Sequence, residues 1–227
     1  MIKKDLVERS SVRNFEKALD GGLRAGEIGV ITSRKGSGKT SLLVQLGLDQ
    51  LLQDKFVVHI SFSQHVDYAM TWYKDMFKDL AEKKHLDKKD EVRDQMVANR
   101  IILNFNQETV RTSQIVKTIR ALTEGGSKPS VLMIDDFNFV KALPEAMEQM
   151  KSFAKEMGLT IWYTAAEDVR SCKIADTLAK YVDDIDIILY LEPQNDSIKI
   201  QALKVHDKTA FDTGIKLDTK TMLITDK

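Results

Sequence analysis

From Ile28 to Leu191 the chain alternates short β-rich runs with longer helical stretches. The runs Ile28–Thr32, Phe56–Phe62, Ile101–Phe105, Ser130–Asp135, Thr160–Thr164 and Ile185–Leu191 predict strands. Helices are predicted for Lys39–Gln53 and near 65–98, 112–123, 143–157 and 173–181. The Lys39–Gln53 helix is apolar almost all round (Leu42, Leu43, Val44, Leu46, Leu48, Leu51, Leu52), a pattern that predicts burial. Strands alternating with helices predict an α/β fold with a mostly parallel central sheet and helices on both faces. The tail reads differently. Ser197–Val205, Thr213–Leu217 and Thr221–Ile224 follow one another with no helix between, which predicts antiparallel hairpins extending the sheet edge.

Glycine adds the next level. Seven of the eleven glycines fall between positions 21 and 47, where backbone must turn tightly or approach a ligand. Inside that cluster, Ser33-Arg34-Lys35-Gly36-Ser37-Gly38-Lys39-Thr40, followed by Ser41, lies between a predicted strand and a predicted helix. That context is the one a phosphate-binding P-loop requires. Successive backbone N–H groups curl around phosphates, and Gly36 and Gly38 let the backbone come close. Lys39 is placed to reach the β- and γ-phosphates, and Thr40 to set its hydroxyl on Mg²⁺. The helix N-terminus contributes about half a positive charge. Ser33 stands where the pattern has its first glycine, while the cradling half of the loop is complete. Arg34 and Lys35 are placed to touch phosphate or an adjacent subunit, or to be solvated loop charges.

A P-loop predicts a downstream strand ending in a carboxylate that holds Mg²⁺ through water. Val131-Leu132-Met133-Ile134-Asp135 fits, with Asp136 after it. Asp135 and Thr40 are thus the candidate metal-site residues, and ATP and Mg²⁺ the expected cofactors.

These residues carry a resemblance. Leu19–Ile28 (L-D-G-G-L-R-A-G-E-I) resembles the lead-in of RecA-fold ATPases of the KaiC, RadA and DnaB-helicase type. The resemblance continues through Val131–Asp135, through A-D-T-L-A-K-Y-V-D-D-I-D-I-I-L-Y-L, and into the tail hairpin with its T-G-x-hydrophobic strand. It implies one RecA-like domain over 1–227, with 1–18 as a lead-in. It implies ATP at the carboxyl edge of the sheet and assembly into rings or filaments with ATP between subunits. Family members place a catalytic Glu after the strand that follows the P-loop helix; here Ser63 or Gln64 occupies that place. Neither is a general base near neutral pH, although a Gln orients water in GTPases, and Asp67 or Asp136 are substitutes. The family's trans-acting Lys-x-Arg corresponds to Lys204-Val205-His206, with the lysine kept and the arginine replaced. The plainer reading of Lys204 and His206 is two outward positions on an alternating strand. Thr164 falls where the family senses nucleotide. Lys39, Gln64 and Asp135 are therefore the catalytic candidates.

Composition narrows the partners. Lys+Arg and Asp+Glu number 34 each, so net charge draws the chain toward neither nucleic acid nor anionic lipid, and leaves a local basic patch open. The segments after Asp135 and Thr164 do not resemble basic, Gly-rich strand-binding loops. The stretch Lys74–Asp94 has seven basic and seven acidic residues and no Gly or Pro, which reads as a solvated helical arm within 65–98. The single Cys172 excludes an internal disulfide, and with four scattered histidines it speaks against zinc. A reduced thiol, no apolar leader and no long apolar run predict a cytoplasmic protein without membrane insertion. Two functions follow: a slow or partner-stimulated ATPase working as a nucleotide-dependent oligomer, or a switch or scaffold that binds ATP and hydrolyses little. A replicative helicase fits less well.

Overall fold

The computed structural model describes residues 1–62, 66–167 and 173–225. Its centre is a nine-stranded sheet in the order β3-β2-β4-β5-β1-β6-β7-β8-β9. Six strands run parallel: β1 (Ile28–Ser33), β2 (Val57–Ser61), β3 (Arg100–Asn104), β4 (Val131–Asp135), β5 (Thr160–Ala166) and β6 (Ile187–Pro193). The last three are antiparallel: β7 (Ser197–Val205), β8 (Phe211–Asp218) and β9 (Ile224–Thr225). The α/β class, the mostly parallel sheet and the antiparallel tail are as the pattern predicts. β1, β2 and β4 are buried along their whole length, as parallel strands covered on both faces should be.

Alternation along the strands assigns side chains to two cores. Val131 and Met133 join Ile31, Val57 and Trp162 on one face; Leu132 and Ile134 join Val30, Ile60 and Tyr163 on the other. The first face carries α1 (Lys3–Glu8), α2 (Ser11–Ala18), α3 (Lys39–Leu52), α4 (Val66–Lys83) and α5 (Lys89–Ala98). The second carries α6 (Thr112–Glu124), α7 (Ala146–Met157) and α8 (Asp176–Ala179). Because successive residues point to opposite faces, Asp135 follows Val131 and Met133 toward α3, and Thr164 follows Trp162 the same way.

Two segments differ from the sequence reading. The 65–98 stretch is two helices, broken at Lys84–Lys88, where His85 and Lys88 take positive φ. One side of the pair is buried through Ala69, Tyr73, Met76, Phe77, Ala81, Val92 and Met96, so the charges coat a packed layer rather than a free arm. The 1–18 lead-in forms α1 and α2, which bury Leu6, Val12 and Phe15 on the α3 face. α3 runs close against α4: a Cβ at Gly47 would lie 2.3 Å from the Tyr73 hydroxyl.

Candidate nucleotide site

The P-loop follows β1 at the carboxyl edge of the sheet. Ser33 ends the strand fully buried, its hydroxyl donating to the Leu191 carbonyl at 2.7 Å. The chain then turns through Gly36 at φ 80° and Gly38 at φ 83°, values in the left-handed region that favours glycine. Gly38 is also the N-cap of α3, so the free N–H groups of that helix open onto the loop. Arg34 and Lys35 are exposed, Ser37 is buried, and the Ser41 hydroxyl donates back to the Gly38 carbonyl at 2.9 Å.

Lys39 lies folded into the loop. Its ammonium donates to the Ser33 carbonyl at 3.0 Å and the Arg34 carbonyl at 2.7 Å, and no carboxylate lies within salt-bridge distance among the described residues. Burial lowers its pKa, against the fields of Asp136, Asp135 and Glu167. Facing it, the Thr40 hydroxyl lies 3.0 and 3.2 Å from the two Asp135 oxygens. The Thr164 hydroxyl donates to Asp135 Oδ1 at 2.5 Å and accepts the Asp136 N–H at 2.8 Å. Asp135 is buried, which raises its pKa; the hydrogen bonds from Thr164, Thr40 and the Asp136 backbone pull the other way. A lysine and a carboxylate are thus both buried with only neutral hydrogen-bond partners, near enough to feel each other's field. Phosphate would neutralise the first and a divalent cation the second.

The arrangement fits Mg²⁺. Thr40 and Asp135 supply one hydroxyl and one carboxylate, and Mg²⁺ usually takes only one or two protein carboxylates and completes its shell with water and phosphate. No cluster of three His, Cys, Asp or Glu side chains suited to holding a metal exists among the described residues.

The structure gathers Ser33, Gly36, Ser37, Gly38, Lys39, Thr40, Ser41, Asp135 and Thr164 around the P-loop at the carboxyl edge of the sheet. Ser63 and Gln64 lie outside the described residues, as does Cys172. Asp136 is exposed at φ 59° next to Asp135, and Asp67 is exposed on the first turn of α4. Lys204 and His206 lie elsewhere. β7 runs antiparallel to β6, so its end pairs with the start of β6 at the amino edge of the sheet. There the Lys204 ammonium donates to the Val182 and Ile185 carbonyls at 2.6 and 2.7 Å, and His206 Nε2 lies 3.1 Å from Glu27. Neither reaches the P-loop of its own chain.

One positioning residue escaped the sequence reading. Gln45 accepts the Ile224 N–H and donates to the Met222 carbonyl, fastening the tail to the P-loop helix. Its signal was a polar side chain inside a helix apolar all round.

Among the described residues no helix is long and apolar enough to cross a membrane. No curated protein matches the chain at a significant level. A family model described as AAA domain matches residues 23–172, a span that opens just before β1 and takes in the P-loop, Asp135 and Thr164. With well over half its length matched, the chain belongs to the AAA-domain family of nucleotide-binding P-loop NTPases.

Proposed function

We propose that this protein is a cytoplasmic ATP·Mg²⁺-binding NTPase of the RecA, KaiC and DnaB-like type, which hydrolyses ATP slowly and works as a nucleotide-dependent oligomer. The observation that carries the ATP·Mg²⁺ assignment is the Thr40–Asp135–Thr164 cluster facing a buried Lys39 across the loop. Lys39 exchanges its two backbone carbonyls for β- and γ-phosphate oxygens. Thr40 would hold Mg²⁺ and Asp135 would hold it through water, and the ion would supply positive charge to offset charge on the phosphates. The RecA-like reading is supported by the antiparallel β7–β8 tail, where Gly214 of the T-G pair sits at φ 71°.

Slow turnover follows from residue identities. Ser63 and Gln64 stand where a Glu base would, and His206 where an arginine would. Both changes act on the transition state more than on binding. Since Lys204 and His206 lie at the far edge of their own sheet, any action on ATP comes from a neighbouring subunit in a head-to-tail assembly. Steady-state ATPase assays of the isolated protein test this, with and without single-stranded DNA. Turnover well below the common enzyme value of ~10 s⁻¹ is expected, and turnover near it overturns the slow reading. Light scattering should show higher mass with ATP·Mg²⁺, and a mass that stays monomeric overturns the oligomer. Tight ATP binding with no turnover under any condition favours the second reading, a switch or scaffold, which the missing Glu supports.

A further inference from the structure

On the α3 side of the sheet, α4, α5 and the first residue of β3 enclose a groove of about 490 Å³. Its floor is apolar. Phe77 and Met96 are buried there, while Met70 and Val97 stand 48% and 54% exposed on the facing helices. Exposed apolar side chains gathered on two adjacent helices mark a contact surface more than a solvated one, and methionine adapts to varied partners. β3 is the outermost strand on this side, so among the described residues no further strand closes the groove off.

Charge says what fits. Lys74 and Arg100 line the groove, and among the described residues neither has a carboxylate within salt-bridge distance. The Arg100 guanidinium lies 4.5 Å over the Tyr73 ring and is partly buried, which lowers its pKa. Arg93, in contrast, is met by Asp90 and Asp94 of its own helix. Asp67, an acid lining the groove, sits on the first turn of α4 and, among the described residues, forms a salt bridge with neither Lys74 nor Arg100. A partly desolvated guanidinium without an acid is costly to the free protein and favourable to a carboxylate that arrives with a partner.

We propose that this groove docks an amphipathic helix of a partner protein. Its apolar face would fill the space between Met70, Phe77, Met96 and Val97, and its Asp or Glu side chains would pair with Arg100 and Lys74. A helix laid in a groove between two helices is a common recognition mode, read as apolar anchors at helical spacing. The proposal is independent of nucleotide binding.

Fluorescence anisotropy on the full chain tests it. The probe is a labelled helical peptide with leucines on one face flanked by glutamates, set against the same peptide with lysines for glutamates. The glutamate peptide should bind at least about tenfold tighter, with the preference shrinking as salt rises. Arg100→Gln should cost about tenfold, and Val97→Glu, an exposed change whose folding a melting curve checks, should abolish binding. No binding of the glutamate peptide, equal binding of the two peptides, or full binding by Val97→Glu overturns the proposal. Conversion of an oligomer to monomer by Val97→Glu also overturns it, by giving the groove to a second copy of the chain. So does a single-stranded oligonucleotide that binds tightly and loses affinity in Arg100→Gln.

Discussion

The two edges of the sheet treat buried charge in opposite ways. At the amino edge carboxylates find basic side chains: Lys151 pairs with Asp186, which also accepts the Ile28 N–H, and the His206 ring reaches Glu27. Lys204 is the exception there: like Lys39 it donates to two carbonyls, those that close the turn after α8, with no acid in salt-bridge distance among the described residues. At the carboxyl edge Lys39 and Asp135 are buried more deeply, yet each is held by neutral groups alone. The first arrangement stabilises the fold as it stands. The second leaves a cation and an anion in need of counter-charges, which is how a chain builds an electrostatic site at a cost in stability. One edge is finished by folding and the other by ligand.

The largest expected effect breaks the comparison at its ligand. ATP·Mg²⁺ at a hundred times its Kd should stabilise the protein by about 2.7 kcal/mol, a Tm rise of roughly 5–10 °C. Lys39→Ala should remove most of that rise, and an unchanged wild-type melting curve in saturating ATP·Mg²⁺ would sink the site.

Next come the two lysines without ligand. Lys151→Ala strands a mostly buried Asp186 and should cost about 2 kcal/mol in urea unfolding. Lys39→Ala, which removes a desolvated charge, should leave the ligand-free protein no less stable. Equal losses at the two positions would erase the distinction between the edges.

Midway along the sheet, His59 offers a pH test. It is fully buried on β2, with Nδ1 3.4 Å from the Tyr73 hydroxyl and Nε2 without a hydrogen-bond partner among the described residues, and burial lowers its pKa to about 3. Its folded pKa lies below the unfolded value near 6.5, so the unfolded chain takes up the proton first and stability falls as pH drops. Between pH 7 and 5.5 the loss should be about 1.3 kcal/mol. His59→Leu should flatten that slope whatever it does to stability at pH 7; an unaltered slope assigns the acid sensitivity to other groups.

The smallest effect carries the sign of the comparison. The folded pKa of Asp135 is raised, so its contribution to stability falls as pH rises above the unfolded carboxylate range. Asp135→Asn should therefore stabilise the ligand-free protein, on the order of 1 kcal/mol, while abolishing the Mg²⁺-dependent part of the ATP shift. Loss of stability in the ligand-free variant would show that Asp135 is structural.

Much of the carboxyl edge was legible along the chain, because its signals are short. Ser33–Thr40 is one contiguous loop between a strand and a helix, and Val131–Asp135 is one apolar run closed by a carboxylate. β7 occupies the residues the alternation indicates, Ser197–Val205. α4 and α5 were harder to read. Their buried positions recur at helical spacing, but fourteen charges between Lys74 and Asp94 conceal a packed face as a solvated one.

The sequence by itself determined the α/β class, the place of the phosphate loop and the strand that ends in Asp135, since each depends on periodicity or on a few neighbouring residues. Tertiary structure decided what those residues touch. Thr40 and Asp135 are 95 positions apart, Thr164 and Asp135 are 29 apart, and Gln45 and Met222 are 177 apart. Only the order in which strands pair brings such groups together. The same pairing sends Lys204 to the far edge of the sheet, where the Val182 and Ile185 carbonyls hold it. A strand's pattern records which face each side chain takes; the chain's path through the sheet decides what waits there.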